Sequence, residues 1–114
     1  MWSLELEPEV AEWLDGLPVV AFAAVAAHVE RLGRQGNLLR MPASRALGAG
    51  LFELRFDLTR VAWRITYYYP GDRRIVLLTV FRKQRQNERT EVQRARWAMQ
   101  RCINEQHTPD EEND

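Results

Sequence analysis

Apolar and polar residues alternate through the middle of this chain with the period of a β-strand. Over 51–58, Phe52, Leu54, Phe56 and Leu58 fall on one side, and Glu53, Arg55 and Asp57 on the other. Over 61–69, Val61, Trp63, Ile65, Tyr67 and Tyr69 make one face, and Ala62, Arg64, Thr66 and Tyr68 the opposite one. The run 75–81 is apolar on both faces and reads as a central strand. Turns at 57–60 and at Pro70-Gly71-Asp72 join the three into an antiparallel meander.

Upstream, Trp2-Ser3-Leu4-Glu5-Leu6 alternates like a short strand, expected to add to an edge of the meander. Pro8 suits the first position of a helix whose Val10, Trp13, Leu14 and Leu17 share a face. Gly16 and Pro18 break that pattern. A second helix carries Phe22, Val25, Ala26, Val29 and Leu32 as its apolar stripe, and Gly33 and Gly36 end it. Two helices joined so tightly predict an antiparallel hairpin. The segment 37–48 has the Pro, Ser and Gly content of a loop. The segment 87–104 predicts a last helix, capped by Asn87 or Thr90, with Val92, Ala95, Met99, Cys102 and Ile103 buried. The expected fold class is α+β, with an N-terminal strand and antiparallel helical hairpin packed on an antiparallel β-sheet meander, then a C-terminal helix. One domain is expected over 1–104, with 105–114 as an acidic, disordered tail.

Composition narrows the function classes. The chain has 114 residues, 46% hydrophobic and 28% charged, as a single globular domain does. No apolar run reaches the ~18 residues of a membrane span, and no basic-then-apolar leader opens the chain, so a cytoplasmic protein without membrane contact is expected. Cys102 is the lone cysteine, and His28 and His107 lie far apart. That argues against a thiolate or imidazole metal centre, and no metal or cofactor is expected. His28 sits among apolar residues of a helix and reads as structural.

Net charge is zero, but its layout is uneven. Residues 1–30 hold six acids and no Lys or Arg. Residues 31–101 hold sixteen bases and five acids, a balance of +11. Residues 102–114 hold five acids. A basic middle suits a polyanionic partner; the alternative is a surface on which the charges intersperse.

Strand alternation places Arg55 and Arg64 on one side of the sheet, with Tyr68 beside Arg64. Arg82 and Lys83 fall where the last strand ends, and Arg85 follows them. Arg40 and Arg45 make the preceding loop basic. Guanidiniums, a phenol and an ammonium suit phosphate recognition. They also suit RNA cleavage by the substrate's own 2′-hydroxyl, where the protein holds the phosphate in line, stabilises charge and moves protons. Arginine carries protons poorly, with a pKa above ~12. Lys83 is the only lysine among sixteen basic residues and is assigned the proton or a tuned charge; the alternative is one more surface cation. On the last helix, Trp97 falls with Arg94 and Arg101 on an outward face, either as a partner contact or folded against its neighbours.

Three segments in order, GLFELR at 50–55, WRITYYY at 63–69 and LLTVFRKQRQNERTEVQRA at 77–95, resemble the RelE superfamily of bacterial toxins, most of all its HigB-like, phage-related branch. The resemblance implies a toxin of a type II toxin–antitoxin pair that cuts mRNA on the ribosome without a metal. It implies a cognate antitoxin, a HigA-like helix-turn-helix protein. By motif, Arg55 matches the arginine of Glu-Leu-Arg, Arg64 that of Tyr-Arg-Ile, and Lys83 a lysine of Phe-x-Lys-Lys. Gln84 replaces the second lysine, Gln93 a tyrosine found in members nearer RelE, and Trp63 the tyrosine before the strand arginine. The phenol role is then left to Tyr68 or to no residue. The alternative function is a catalytically inactive module of the same fold that binds RNA or an antitoxin. A third reading is an interaction domain that docks a protein through the Trp97 helix face.

Overall fold

Pro8, with no N–H to satisfy, and the apolar spacing behind it form a first helix, α1 (Pro8–Asp15), which follows directly on strand β1 (Ser3–Leu6). In this computed structural model, residues 1–105 are described in full and the backbone of the last helix to 113. The tail expected over 105–114 lies almost wholly outside the fully described residues. Helix α2 (Val19–Gln35) starts after Pro18 and ends at a single 3-10 turn, Gly36–Leu38. Four strands follow: β2 (Ser44–Gly48), β3 (Leu51–Leu58), β4 (Val61–Gly71) and β5 (Arg74–Arg82). Helix α3 (Glu88–Asn113) closes the chain.

The sheet order is β1-β5-β4-β3-β2. The meander β3-β4-β5 is antiparallel as its alternation requires. β1 pairs parallel to β5, so the sheet is mixed and β5 has a strand on each side, in keeping with its two apolar faces. The loop expected over 37–48 is replaced at its end by an edge strand: β2 pairs antiparallel with β3, Ser44 opposite Leu54 and Arg45 opposite Glu53. SRALG has little strand propensity, and its pairing comes from the neighbouring strand. The hydroxyls of Ser44 and Tyr67 are hydrogen-bonded, tying β2 to β4 across β3.

Two cores flank the sheet. Against the hairpin lie Val10, Leu14, Val25, Leu32, Leu54, Phe56, Ile65, Tyr67, Ile75, Leu77 and Val80. Each such side chain, fully buried, contributes about 1.5–3 kcal/mol. Against α3 lie Leu51, Tyr68, Val76, Leu78, Ala95, Ala98 and Cys102. The stripe expected along α2 is buried only in its later turns. Val25 and Leu32 are buried, whereas Phe22 is 44% exposed and Val19 and Val20 more so.

A bulge decides which end of β5 faces which core. Thr66 stands opposite Thr79 and Tyr67 opposite Leu77, so Leu78 is extra on β5. The parity of β5 changes there. Ile75 and Leu77 face the hairpin before it, and Val80 does after it. Phe81 therefore lies opposite Arg64, and Arg82 opposite Trp63.

Gly36 fixes the end of α2. Its φ is 53°, a region open mainly to glycine, and an added Cβ would sit 2.0 Å from the Trp2 indole nitrogen. Gly36→Ala is expected to cost roughly 2–4 kcal/mol, from strain and displacement of Trp2 together. Urea unfolding of the two proteins checks this; an unchanged midpoint would contradict the packing described.

Candidate nucleic-acid interface

Two rows of side chains cross the sheet on the face that carries α3, beyond the apolar patch beneath that helix. Arg45, Glu53, Thr66 and Thr79 stand opposite one another in sequence across β2, β3, β4 and β5. The next row holds Arg55, Arg64 and Phe81. Alternation thus does bring Arg55 and Arg64 together, as a direct cross-strand pair. Like charges so placed repel, and a third group must offset them.

That group is Glu53. It is fully buried, 0% exposed, and its carboxylate lies 3.8 Å from Arg55 Nε and 3.7 Å from Arg64 Nε. Neither oxygen accepts a hydrogen bond among the described residues. Burial pushes the Glu53 carboxyl up, with Glu88 adding to the effect and Arg64 and Arg55 opposing it. Arg64 is itself 7% exposed; burial, then the neighbouring Arg55, pulls its guanidinium down. Its Nη1 donates to the Trp63 carbonyl at 2.9 Å, and Arg55 Nη1 donates to Met41 Sδ at 3.2 Å.

Lys83 joins this face from the end of β5. Its amide donates to the Ala62 carbonyl, and its Nζ lies 3.2 Å from Glu88 on the first turn of α3. Glu88 also lies 3.7 Å from Arg45. Asn87 holds the bend before α3, accepting from the Gln84 amide and donating to the Arg82 carbonyl. Arg45, Arg55, Arg64 and Lys83 therefore form one cationic field threaded by two carboxylates, Glu53 and Glu88.

Other residues expected here lie elsewhere. Tyr68 shares the Arg64 face but is 4% exposed beneath α3, beside Cys102, and cannot reach a base. Burial and Cys102 push its phenol up. Arg82, across from Trp63, is on the hairpin face because of the bulge, away from Arg64. Arg85 is exposed in the turn after Lys83. Arg40 lines a separate hollow with Leu39, Ser44 and Phe52. On α3, Arg94 is not free for a partner: it ion-pairs with Glu9 and Glu91 and donates to the Val80 carbonyl, locking α3 to α1 and β5. Trp97 is 66% exposed, and Arg101 is exposed on the same helix.

Sequence reasoning overlooked Glu53, Glu88 and Arg31, and read His28 as structural. His28 is half-buried and stacks on Phe56, rings 5.3 Å apart and 23° from parallel. With Arg31, Arg55, Asp57 and Arg64 it lines a cavity of about 380 Å³ at the edge of β3. The signal was available: His28 and Arg31 are three apart on α2 and so share a face. Among the described residues no group of His, Cys, Asp and Glu is arranged to hold a metal, and no helix is long and apolar enough to cross a membrane.

The buried carboxylate gives a pH signature. Its folded pKa is raised, so the folded chain holds a proton that the unfolded chain gives up above its ordinary value of 4.5. Stability contributed by Glu53 is therefore full below 4.5 and declines as pH rises through the folded value. Glu53→Gln is expected to remove that part of the pH dependence, measured as urea midpoints from pH 4 to 8; parallel curves for the two proteins would refute the assignment.

The architecture matches solved structures of one bacterial toxin. The E. coli RelE toxin in its intact RelBE toxin–antitoxin complex aligns with a TM-score of 0.57 at 11% identity, over 75% of this chain and all of that one. The isolated E. coli RelE toxin aligns at 0.57 and 11%, over 82% and 97%. A double arginine-to-alanine mutant of E. coli RelE in the free state aligns at 0.58 and 14%, over 88% and 96%. No curated protein sequence matches the chain. The expected RelE-like fold is thus the one adopted. Residues 12–102 match the family described as phage-derived protein Gp49-like (DUF891), and the chain belongs to that family.

Proposed function

We propose that this chain is the toxin of a type II toxin–antitoxin pair, an endoribonuclease that cuts mRNA on the ribosome in the cytoplasm. The observation that carries the reading is the cross-strand Arg55–Arg64 pair with Lys83 at its flank, set on a RelE-like sheet. The RelE structure solved with its antitoxin supports a protein partner for this chain. A HigA-like helix-turn-helix antitoxin is the partner proposed here.

The chemistry needs no group beyond those on this face. The 2′-oxygen of one ribose attacks the adjacent phosphorus, and the bond to the 5′-oxygen breaks. A 2′,3′-cyclic phosphate and a 5′-hydroxyl result. Arg55 and Arg64 bind the non-bridging oxygens and stabilise the charge that grows there. Both guanidiniums direct Nε toward Glu53. The nearby carboxylate offsets their mutual repulsion while leaving their Nη groups for the phosphate oxygens. Lys83 as ammonium protonates the leaving 5′-oxygen, and its ion-pair partner Glu88, 3.2 Å away, takes the 2′-hydroxyl proton. With Tyr68 buried, no phenol takes part.

Arg64→Ala and Lys83→Ala are each expected to slow cleavage by about 10²-fold or more, the scale for one charge-stabilising or proton-transfer group. Both should restore growth to cells expressing the chain without its antitoxin. Mapping 5′ ends of cellular mRNA supplies the direct readout. If both variants remain fully toxic, the site is misassigned; if the parent chain produces no new ends, it is a binding module and no nuclease.

A further inference from the structure

The cavity between α2 and the edge of β3 is larger than a scissile phosphate requires. At about 380 Å³ it falls in the range of small-ligand pockets, about 300–1,000 Å³. Three guanidiniums line it, those of Arg31, Arg55 and Arg64, against the single carboxylate of Asp57. Arg55 and Arg64 also belong to the proposed cleavage site, so one cavity wall is continuous with that site. Arg31 is exposed and makes no ion pair or hydrogen bond among the described residues. Beside Arg31 on the same helix face, the half-buried His28 ring stacks on the buried Phe56 and lines the same cavity.

The edge of β3 is open at this point. Pairing with β2 stops at Leu54, and the Arg55 amide is taken by the Ala43 carbonyl. No strand covers the β2 side of Asp57 among the described residues. A polymer lying on Arg55 and Arg64 can therefore run over this edge into the cavity.

We infer that this cavity is a nucleotide subsite for the RNA strand, next to the scissile position, in which Arg31 binds the phosphate and the His28 ring, backed by Phe56, receives the base. Charge alone would also admit an acidic side chain of a protein. The stacked rings decide between them, because a base uses a π surface and a carboxylate does not. The choice of RNA as ligand rests on the cleavage reading above.

The test is calorimetric titration of the full chain with a 5′-phosphorylated ribodinucleotide whose internal 2′-hydroxyl is replaced by hydrogen, which cannot be cleaved. Arg31→Ala is expected to bind it about tenfold more weakly, the scale of one charge-assisted contact. The slope of log affinity against log salt should also fall by about 0.7, one phosphate contact to a single strand. Arg73→Ala removes an exposed arginine that lies over the Trp2 ring, and should bind within about twofold of the parent. His28→Ala should weaken the dinucleotide while leaving inorganic phosphate unaffected. Equal losses in Arg31→Ala and Arg73→Ala, or no loss in Arg31→Ala, would overturn the subsite. So would a loss confined to polyglutamate, which would mark the pocket as a carboxylate site for a protein. If the chain cuts no mRNA yet binds the dinucleotide through Arg31, the cleavage reading falls and the subsite stands. If it cuts mRNA and Arg31→Ala binds and cuts like the parent, the subsite alone falls.

Discussion

A sheet that is apolar on both faces must be covered on both, and this chain has helix enough for one face and part of the other. The hairpin covers one side through Val10, Leu14, Val25 and Leu32. On the other, Ala95, Ala98 and Cys102 of α3 reach only Leu51, Tyr68, Val76 and Leu78. The rows from Glu53 to Lys83 lie on that same face beyond this apolar patch, with Glu53, Arg64, Thr66, Thr79 and Phe81 buried and Glu88 of α3 reaching Arg45 and Lys83. Charge buried there needs a partner of opposite sign. The cationic field is where the sheet answers that need.

Charge in a sheet carries its own cost. Two guanidiniums directly opposite each other repel, and Arg64 is nearly out of solvent. Glu53 offsets both at once from below, at 3.7 and 3.8 Å. A buried ion pair contributes little net stability because desolvation consumes most of the attraction. Its yield is co-location: two guanidiniums can stand side by side before any phosphate arrives. Removing the carboxylate would leave two uncompensated cations, one of them buried, so its loss would cost stability even though the pair contributes little beyond an apolar replacement.

Much of this was legible in the sequence. Strand alternation over 51–69 put Arg55 and Arg64 on one side, and pairing made them neighbours. Helical spacing gave the hairpin and its core. What was not legible depended on tertiary contact. β2 lacks the branched and aromatic residues that announce a strand, and forms because β3 lies beside it. Tyr68 was placed on the correct face, but periodicity cannot say how far α3 extends over that face. Arg94 looked outward by spacing and turns out to be held by Glu9, which lies 85 residues earlier. His28 looked structural from its apolar neighbours; it stacks on Phe56 and the same ring forms a cavity wall.

The extra residue in β5 has a consequence for reading related chains. Leu78 shifts parity, so that of two adjacent cations, Arg82 faces the hairpin while Lys83 reaches Glu88. The bulge, not the identity of a charged residue, selects which cation serves the face. A relative with a strand of the same length but no bulge would present the arginine there and turn the lysine away. Two chains with identical charged motifs can thus carry different sites, and motif alignment in this family has meaning only when the bulge is counted with it.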